Sequence, residues 1–365
     1  MSFQDRPSKG TLVLKNWLRG LLTRRRVQVQ GEPVNQTSLI FQLPDEIFIN
    51  IFSNFFGLRL EYAYYRIFLH NKRFMIGRYF GHGYETRRRV LLAFTQLCRS
   101  TRRKFLPWLW EHVQSLCVCL TALDEQGCRR LAVKVFQGQS RTLVATPSLA
   151  VHVKILSVCI LRSDAPELAE LLPLLPNLDT LEVVTEGYEK SESIERTFKS
   201  VKLPRIRTLV IDADAHYLME CCTSVKRVII HLRGSDPTYL KSIPFVADSL
   251  VYLALHLPGP EIIQDLVRLC PNLEELGIIQ PHGSHVANCI TAAQGFTKLR
   301  LLEVVLPRWL DFYPSGPRPV WELQMKEHAI NVLGSICGHT KILKMISLAR
   351  WEGDRHMRNQ VITVP

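Results

Sequence analysis

The sequence predicts an α/β fold in which a helical N-terminal segment leads into an irregular, curved repeat solenoid with a parallel sheet. Three features carry the prediction. Past residue 112 the chain alternates short β-branched runs with helical stretches. Within that region a pattern h-x-x-L-x-h, with h apolar, is anchored at Val153, Leu178, Ile206, Val225, Leu250, Leu273 and Leu299, at spacings of 25, 28, 19, 25, 23 and 26 residues. Self-similarity at periods of about 20–29 residues marks stacked repeats. Ahead of the repeats stand two strongly apolar stretches, LPDEIFINIFSNFF and RRRVLLAFTQLCRSTRRKFLPWLWEHV, separated by residues 57–86.

Residues 1–38 mix Gly, Pro and Gln with the basic run Arg24-Arg25-Arg26 and one apolar patch, TLVLKNWLRGLL. The patch suits an amphipathic basic helix, a nuclear address or an organelle presequence. The composition of the whole segment favours a flexible basic arm.

Residues 39–112 read as a helical domain. Pro44 fits a first helical position, where its missing N–H would be unpaired anyway, and Asp45 and Glu46 set negative charge against the positive end of the helix dipole. From Ile47 to Phe56 only Asn50, Ser53 and Asn54 are polar, which is too much apolar surface for a one-sided stripe. Such a helix needs a second cover, and a partner protein is the expected one. The insert 57–86 carries Tyr62, Tyr64, Tyr65, Phe68, Phe74, Tyr79, Phe80 and Tyr84 among basic residues. Aromatics interleaved with arginine can stack on single-stranded nucleic acid. The plainer reading is a folded elaboration packed on the adjacent helices, with Gly77, Gly81 and Gly83 marking its return loop.

Residues 113–350 form the repeat region, and 351–365 a tail or cap. The central pattern position is Leu156, Leu181, Leu209, Val228, Leu253, Leu276 and Leu302, and Pro176, Pro204 and Pro271 each stand two residues before an anchor. LPNLDTLEVV, LPRIRTLVID and CPNLEELGII are therefore one unit. Further copies start at Val113 (VQSLCV) and Leu343 (LKMISL). Between strands, PELAELLPLL and EIIQDLVRLC place apolar residues every three or four positions, as helices do. One strand and helix cannot bury their apolar faces alone, but stacking in register builds a continuous core between inner sheet and outer helices.

Side chains alternate along a strand, so residues beside the central Leu face the other, concave surface. In the middle strands those positions, with the next on the same face, are Arg227, Ile229, His231, Tyr252, Ala254 and His256, flanked by Glu182, Glu275 and Glu303. An aromatic and an arginine ringed by charge suit a binding hot spot, so these six are the candidate substrate-binding residues. A solvated sheet face with an incidental Tyr is the alternative.

Leu43, Pro44, Glu46, Ile47, Ile51 and Phe52, then Leu97-Cys98-Arg99, then Phe105-Leu106-Pro107-x-Leu109-Trp110, resemble an F-box in order and residue type. The family usually has a short connection where this chain has the insert 57–86. The resemblance implies three short helices docking on the Skp-type linker protein, which joins F-box proteins to a cullin-based ubiquitin ligase. It places Leu43, Pro44, Ile47, Ile51, Phe52, Leu97 and Cys98 at or near the linker contact. The repeat half resembles leucine-rich-repeat proteins, in the cysteine-bearing style often joined to F-boxes, although its copies are irregular and lack the Asn ladder. Together they imply a substrate-recognition adaptor of an SCF-type ligase: the F-box holds the linker, the repeats hold an unidentified protein substrate, and the mechanism is proximity.

Composition bounds the rest. The 365 residues suffice for about two domains. No run of eighteen apolar residues could span a membrane and no secretory signal opens the chain, so the expected location is intracellular, cytoplasmic and/or nuclear. Ten cysteines without a C-x-x-C pair fall mostly in apolar runs, as buried free thiols do. Of the net charge of +13, residues 1–104 hold all the excess, 19 Lys and Arg against 6 Asp and Glu. That charge would steer an acidic protein partner, or, in a less favoured reading, bind nucleic acid. His282, His285 and Cys289 lack a fourth metal ligand, and Asp212, Asp214 and His216 suit a capped helix start better than a divalent ion. No G-x-S-x-G, P-loop or G-x-G-x-x-G occurs, so neither enzymatic activity nor a cofactor is expected. The rival to the adaptor is a repeat scaffold with no ligase connection, its 43–56 helix capping the solenoid.

Overall fold

A computed structural model gives the fold. It describes residues 44, 46–48, 81–115, 125–160, 162–185, 192–231, 237–256, 258–279, 286–306, 320–336, 341–351 and 354–364. The basic arm, most of the insert, and Leu43, Ile51, Phe52, His282 and His285 lie outside these residues.

The helical segment contains α1 (Gly81–Leu97) and α2 (Arg99–Glu111). Residues 46–48 are also helical, and Phe48 ties them to α2: it is buried, with its ring edge-on to Phe105 at 5.1 Å and to Trp108 at 6.4 Å. Phe94 of α1 lies 4.8 Å from Phe105, which completes an aromatic cluster. Between the helices Cys98 is extended, with φ −161° and ψ 175°. Its N–H donates to Thr101 Oγ1 at 3.0 Å, which satisfies a donor that a helix start would otherwise leave unpaired. Gly81 and Gly83, expected in a return loop, stand instead in the first turns of α1. Glycine costs only about 1 kcal/mol relative to Ala in a helix interior, so it cannot by itself end one.

The remaining chain is a mixed α/β structure built on one ten-stranded sheet whose strands follow chain order. The strands are β1 (His112–Gln114), β2 (Ile155–Ile160), β3 (Thr180–Thr185), β4 (Thr208–Asp212), β5 (Arg227–His231), β6 (Tyr252–His256), β7 (Glu275–Ile279), β8 (Leu301–Leu306), β9 (Lys341–Trp351) and β10 (Asp354–Val364). β1 to β9 are parallel; β10 pairs antiparallel with β9, so the C-terminal residues read as a tail or cap are an edge strand. The intervening helices include α3 (Glu125–Ala145), α4 (Pro147–Ala150), α5 (Ala165–Leu171), α6 (Glu192–Phe198), α7 (Leu218–Cys221), α8 (Pro260–Leu269), α9 (Val286–Ala292) and α10 (Val320–Ser335), with a 3-10 segment, Pro237–Phe245, between β5 and β6.

Strand register follows the sequence pattern. Leu156, Leu181, Leu209, Val228, Leu253, Leu276 and Leu302 pair strand to strand in one row. All seven are fully buried, as are Leu168, Leu218, Ile263 and Leu266 on the connecting segments. Burying each such side chain contributes about 1.5–3 kcal/mol. The two outermost copies need correction. Val113 pairs with Leu156, and Leu343 with Leu302, so each occupies the central position and not the anchor three residues before it. An apolar residue satisfies either position, and an outermost copy has another parallel copy on one side only to fix the choice.

The recurring prolines have a local cause. The N–H of Leu178 donates to Leu175 O at 3.2 Å, that of Ile206 to Leu203 O at 3.3 Å and that of Leu273 to Cys270 O at 3.1 Å. Each closes a four-residue turn with Pro176, Pro204 or Pro271 second in it, where the fixed φ of proline is already correct. The same turn, from Val225 to Cys222, forms without proline.

Candidate functional site

Two surfaces hold the candidate residues. The first is the helical segment. α2 buries Thr101, Phe105 and Leu109, a stripe at helical spacing, and α1 buries Leu91 and Phe94 beside it. With that stripe covered, large apolar groups remain outside: Ile47 is 42 % exposed, Leu92 42 % and Leu97 50 %. Pro44 is exposed and Cys98 half-buried. Leu92 was missed in the sequence; the spacing of its buried neighbours, Leu91 and Phe94, is the signal that puts it outside. Arg87 is buried and pairs with Glu111 at 3.5 Å, and Glu111 also takes Lys154 at 3.0 Å, which fastens the helices to the sheet at β2.

The second surface is the sheet face opposite the leucine row. Alternation places Arg227, Ile229, His231, Tyr252, Ala254 and His256 there together, with Arg227 paired to Tyr252 and Ile229 to Ala254 across β5 and β6. The expected open surface is not what the structure has: Arg227 is half-buried and the other five are buried. Val210, Ile229, Tyr252, Ala254, Ile279 and Val305 pack as a second apolar cluster, with Val184 against it. Small side chains stand where β6 and β7 leave little room on this face. A Cβ added to Gly277 would come within 2.6 Å of Ala254 Cβ.

A polar chain runs across this cluster. The Arg227 guanidinium lies 4.0 Å from the Tyr252 ring centroid and pairs with Glu275 at 3.4 Å. Tyr252 donates its hydroxyl to Glu303 at 3.2 Å, and Glu303 pairs with Lys344 at 2.8 Å. Glu275 also receives Arg300 at 3.4 Å. At the other end Ser157 donates to Glu182 and lies 3.3 Å from His112 Nε2. Burial and the charge of Arg87 push the His112 pKa down to about 3, so this ring is neutral at physiological pH. The rings of His231 and His256 are 6.2 Å apart at the carboxyl ends of their strands.

Asp212 does not cap a helix, as the sequence suggested. Its carboxylate accepts the backbone N–H of Thr185 at 2.8 Å, bridging β4 to β3, and no side-chain cap bond forms at the following turn. His216 Nδ1 lies 2.8 Å from Ser242 Oγ, and its pKa is lowered by burial. Among the described residues no group of three His, Cys, Asp or Glu converges as a metal site would. Cys221, Cys270 and Cys289 are thiols; burial raises the pKa of Cys221 to about 11 and those of Cys270 and Cys289 to about 12, so these remain protonated at neutral pH. Among the described residues no helix is long and apolar enough to cross a membrane.

No protein-family model matches this chain, and no curated protein matches it in sequence.

Proposed function

We propose that the chain is an F-box adaptor with leucine-rich repeats: its helical segment docks on a Skp-type linker, through it on a cullin, and its repeats present a protein substrate to the ligase. The observation carrying this reading is the exposure of Ile47 and Leu97, two positions of the resemblance, on a segment whose other large apolar residues are mostly buried. Exposed aliphatic groups beside a filled core suit a protein interface better than water.

The adaptor supplies binding and orientation. Its fixed helices and in-register sheet hold a substrate lysine within reach of a ubiquitin carrier, which raises effective concentration without chemistry of its own. For the substrate, the half-buried row Ile155, Thr180, Thr208, Arg227, Glu275 and Leu301 is the accessible margin of the second face, and the buried Ile229, His231, Tyr252, Ala254 and His256 support it from beneath. Its place of action is intracellular.

Affinity purification from cells tests the reading. The full chain should recover both linker and cullin, and Ile47→Lys with Leu97→Asp should recover neither while remaining folded. Recovery of both by a folded double variant refutes the assignment.

A further inference from the structure

Among the segments that connect β3 to β4 and β4 to β5, Phe198 at the end of α6 and Tyr217 just before α7 pack ring against ring, with centroids 5.3 Å apart and planes tilted by 31°. A cavity of about 50 Å³ opens beside the pair, lined also by Glu195, Lys199, Lys202, Glu220 and Cys221. Tyr217 is 4 % exposed, and among the described residues its buried hydroxyl meets no hydrogen-bond partner. A buried phenol normally has one. The carboxylates of Glu195 and Glu220, both half-buried, make no hydrogen bond or ion pair among the described residues either. Burial holds the Tyr217 phenol above its usual pKa, with Asp212 and Asp214 pushing the same way, so the hydroxyl is neutral and stands in a negative field. At the adjacent His216, burial is opposed by three carboxylates, Glu195, Glu220 and Asp214, and joined by Lys241. Lys199 and Lys202 are exposed, where water and salt screen them far more than the half-buried glutamates.

We propose that this cavity binds the ammonium head of a primary alkylamine, with Glu195 and Glu220 as countercharge and the Tyr217 oxygen as a third acceptor. An alkylammonium has three N–H donors and no acceptor, which matches three oxygens that have no partner of their own. The rings of Phe198 and Tyr217 wall the same space, and aromatic rings attract cations that have left water. The size agrees: about 50 Å³ admits one small polar head group or a few waters, and is far below the roughly 300–1,000 Å³ of a site for a nucleotide or a drug-sized molecule. A lysine side chain and a free amine share this chemistry. The inference is independent of the adaptor reading, since the cavity lies apart from both the exposed helical surface and the second sheet face.

The test is saturation-transfer difference NMR on the purified full chain with n-butylammonium, a surrogate for the lysine side chain, beside neutral butanol. Wild type should bind butylammonium saturably, in the millimolar range, and should not bind butanol. Glu195→Gln/Glu220→Gln should weaken binding by about tenfold or more, and Tyr217→Phe, which removes one acceptor, by about threefold or more. Tyr217→Phe deletes an oxygen that has no hydrogen bond to lose, so it should keep the wild-type melting temperature and carries the test if the double variant does not fold. Lysine blocked at both its α-amino and α-carboxyl groups separates the sources. Binding as tight as that of butylammonium assigns the site to a protein lysine, and binding of butylammonium alone assigns it to a free amine; either result upholds the ammonium site. No binding by wild type, or undiminished binding by either folded variant, overturns the inference. Inorganic phosphate, followed by phosphorus line broadening, is the opposite probe: phosphate that binds where butylammonium does not marks an anion site of Lys199 and Lys202 and also overturns it.

Discussion

The hydroxyl of Tyr252 donates to the carboxylate of Glu303 at 3.2 Å, although β7 lies between their strands. The phenol passes over Gly277, where an added Cβ would stand 3.0 Å from the hydroxyl and 2.6 Å from Ala254 Cβ. Gly277→Ala should therefore push Tyr252 off its partner and overpack the cluster, costing about 1–3 kcal/mol in chemical denaturation. An unchanged midpoint would mean that the strands can part there freely.

Removing the donor alone should separate packing from polarity. Tyr252→Phe keeps the ring under Arg227 and leaves the buried Glu303 with one partner fewer, at a cost of about 1–3 kcal/mol. Glu303→Gln in the Phe background should cost less than it does alone, because the two groups interact.

His112 predicts a pH dependence. Its pKa is about 3 in the fold and about 6.5 when unfolded, so between these values the unfolded state binds the extra proton. Stability from this group is complete above about pH 6.5 and falls as pH drops below it, by about 2 kcal/mol at pH 5. Denaturation midpoints followed from pH 7.5 to 5 should decline more steeply in wild type than in His112→Gln.

Arg227 is the half-buried basic member of the proposed substrate row, and its loss leaves the leucine row untouched. Arg227→Ala should weaken substrate capture by about tenfold or more, since a hydrogen-bonded charged contact is worth about 1.5–3 kcal/mol, and leave linker binding as it was. Tyr252→Ala is a different experiment: it empties a buried site and should lower the melting temperature first. Equal capture by Arg227→Ala and wild type would move the substrate contact off this sheet.

The sheet was legible where local and repeated signals agree. A leucine at the centre of six of the seven copies from β2 to β8, with Val228 in β5, and a proline at the second turn position of three of them together fix the register, because a slip of one residue would turn every one of these central side chains to the other face. At Val113 and Leu343 that constraint weakens, and the pattern alone chose a register three residues away from the one that forms. Which residues share the second face was equally plain from alternation. Their burial was not, because period two says where a side chain points and nothing about how closely strands approach. Ala254 and Gly277, side by side in a row that elsewhere holds Val210, Ile229 and Glu303, were the available sign. Asp212 misled for a related reason: an Asp at a strand end can cap the next turn or reach the neighbouring strand, and only the fold brings Thr185 within 2.8 Å.

The most direct test of the adaptor account is a calorimetric titration of purified Skp-type linker into the full chain. The account predicts saturable one-to-one binding by wild type, and no measurable heat of binding with Ile47→Lys/Leu97→Asp, whose melting temperature should match wild type because both side chains are exposed. Absence of binding by the wild-type chain, or undiminished binding by the folded double variant, would contradict it.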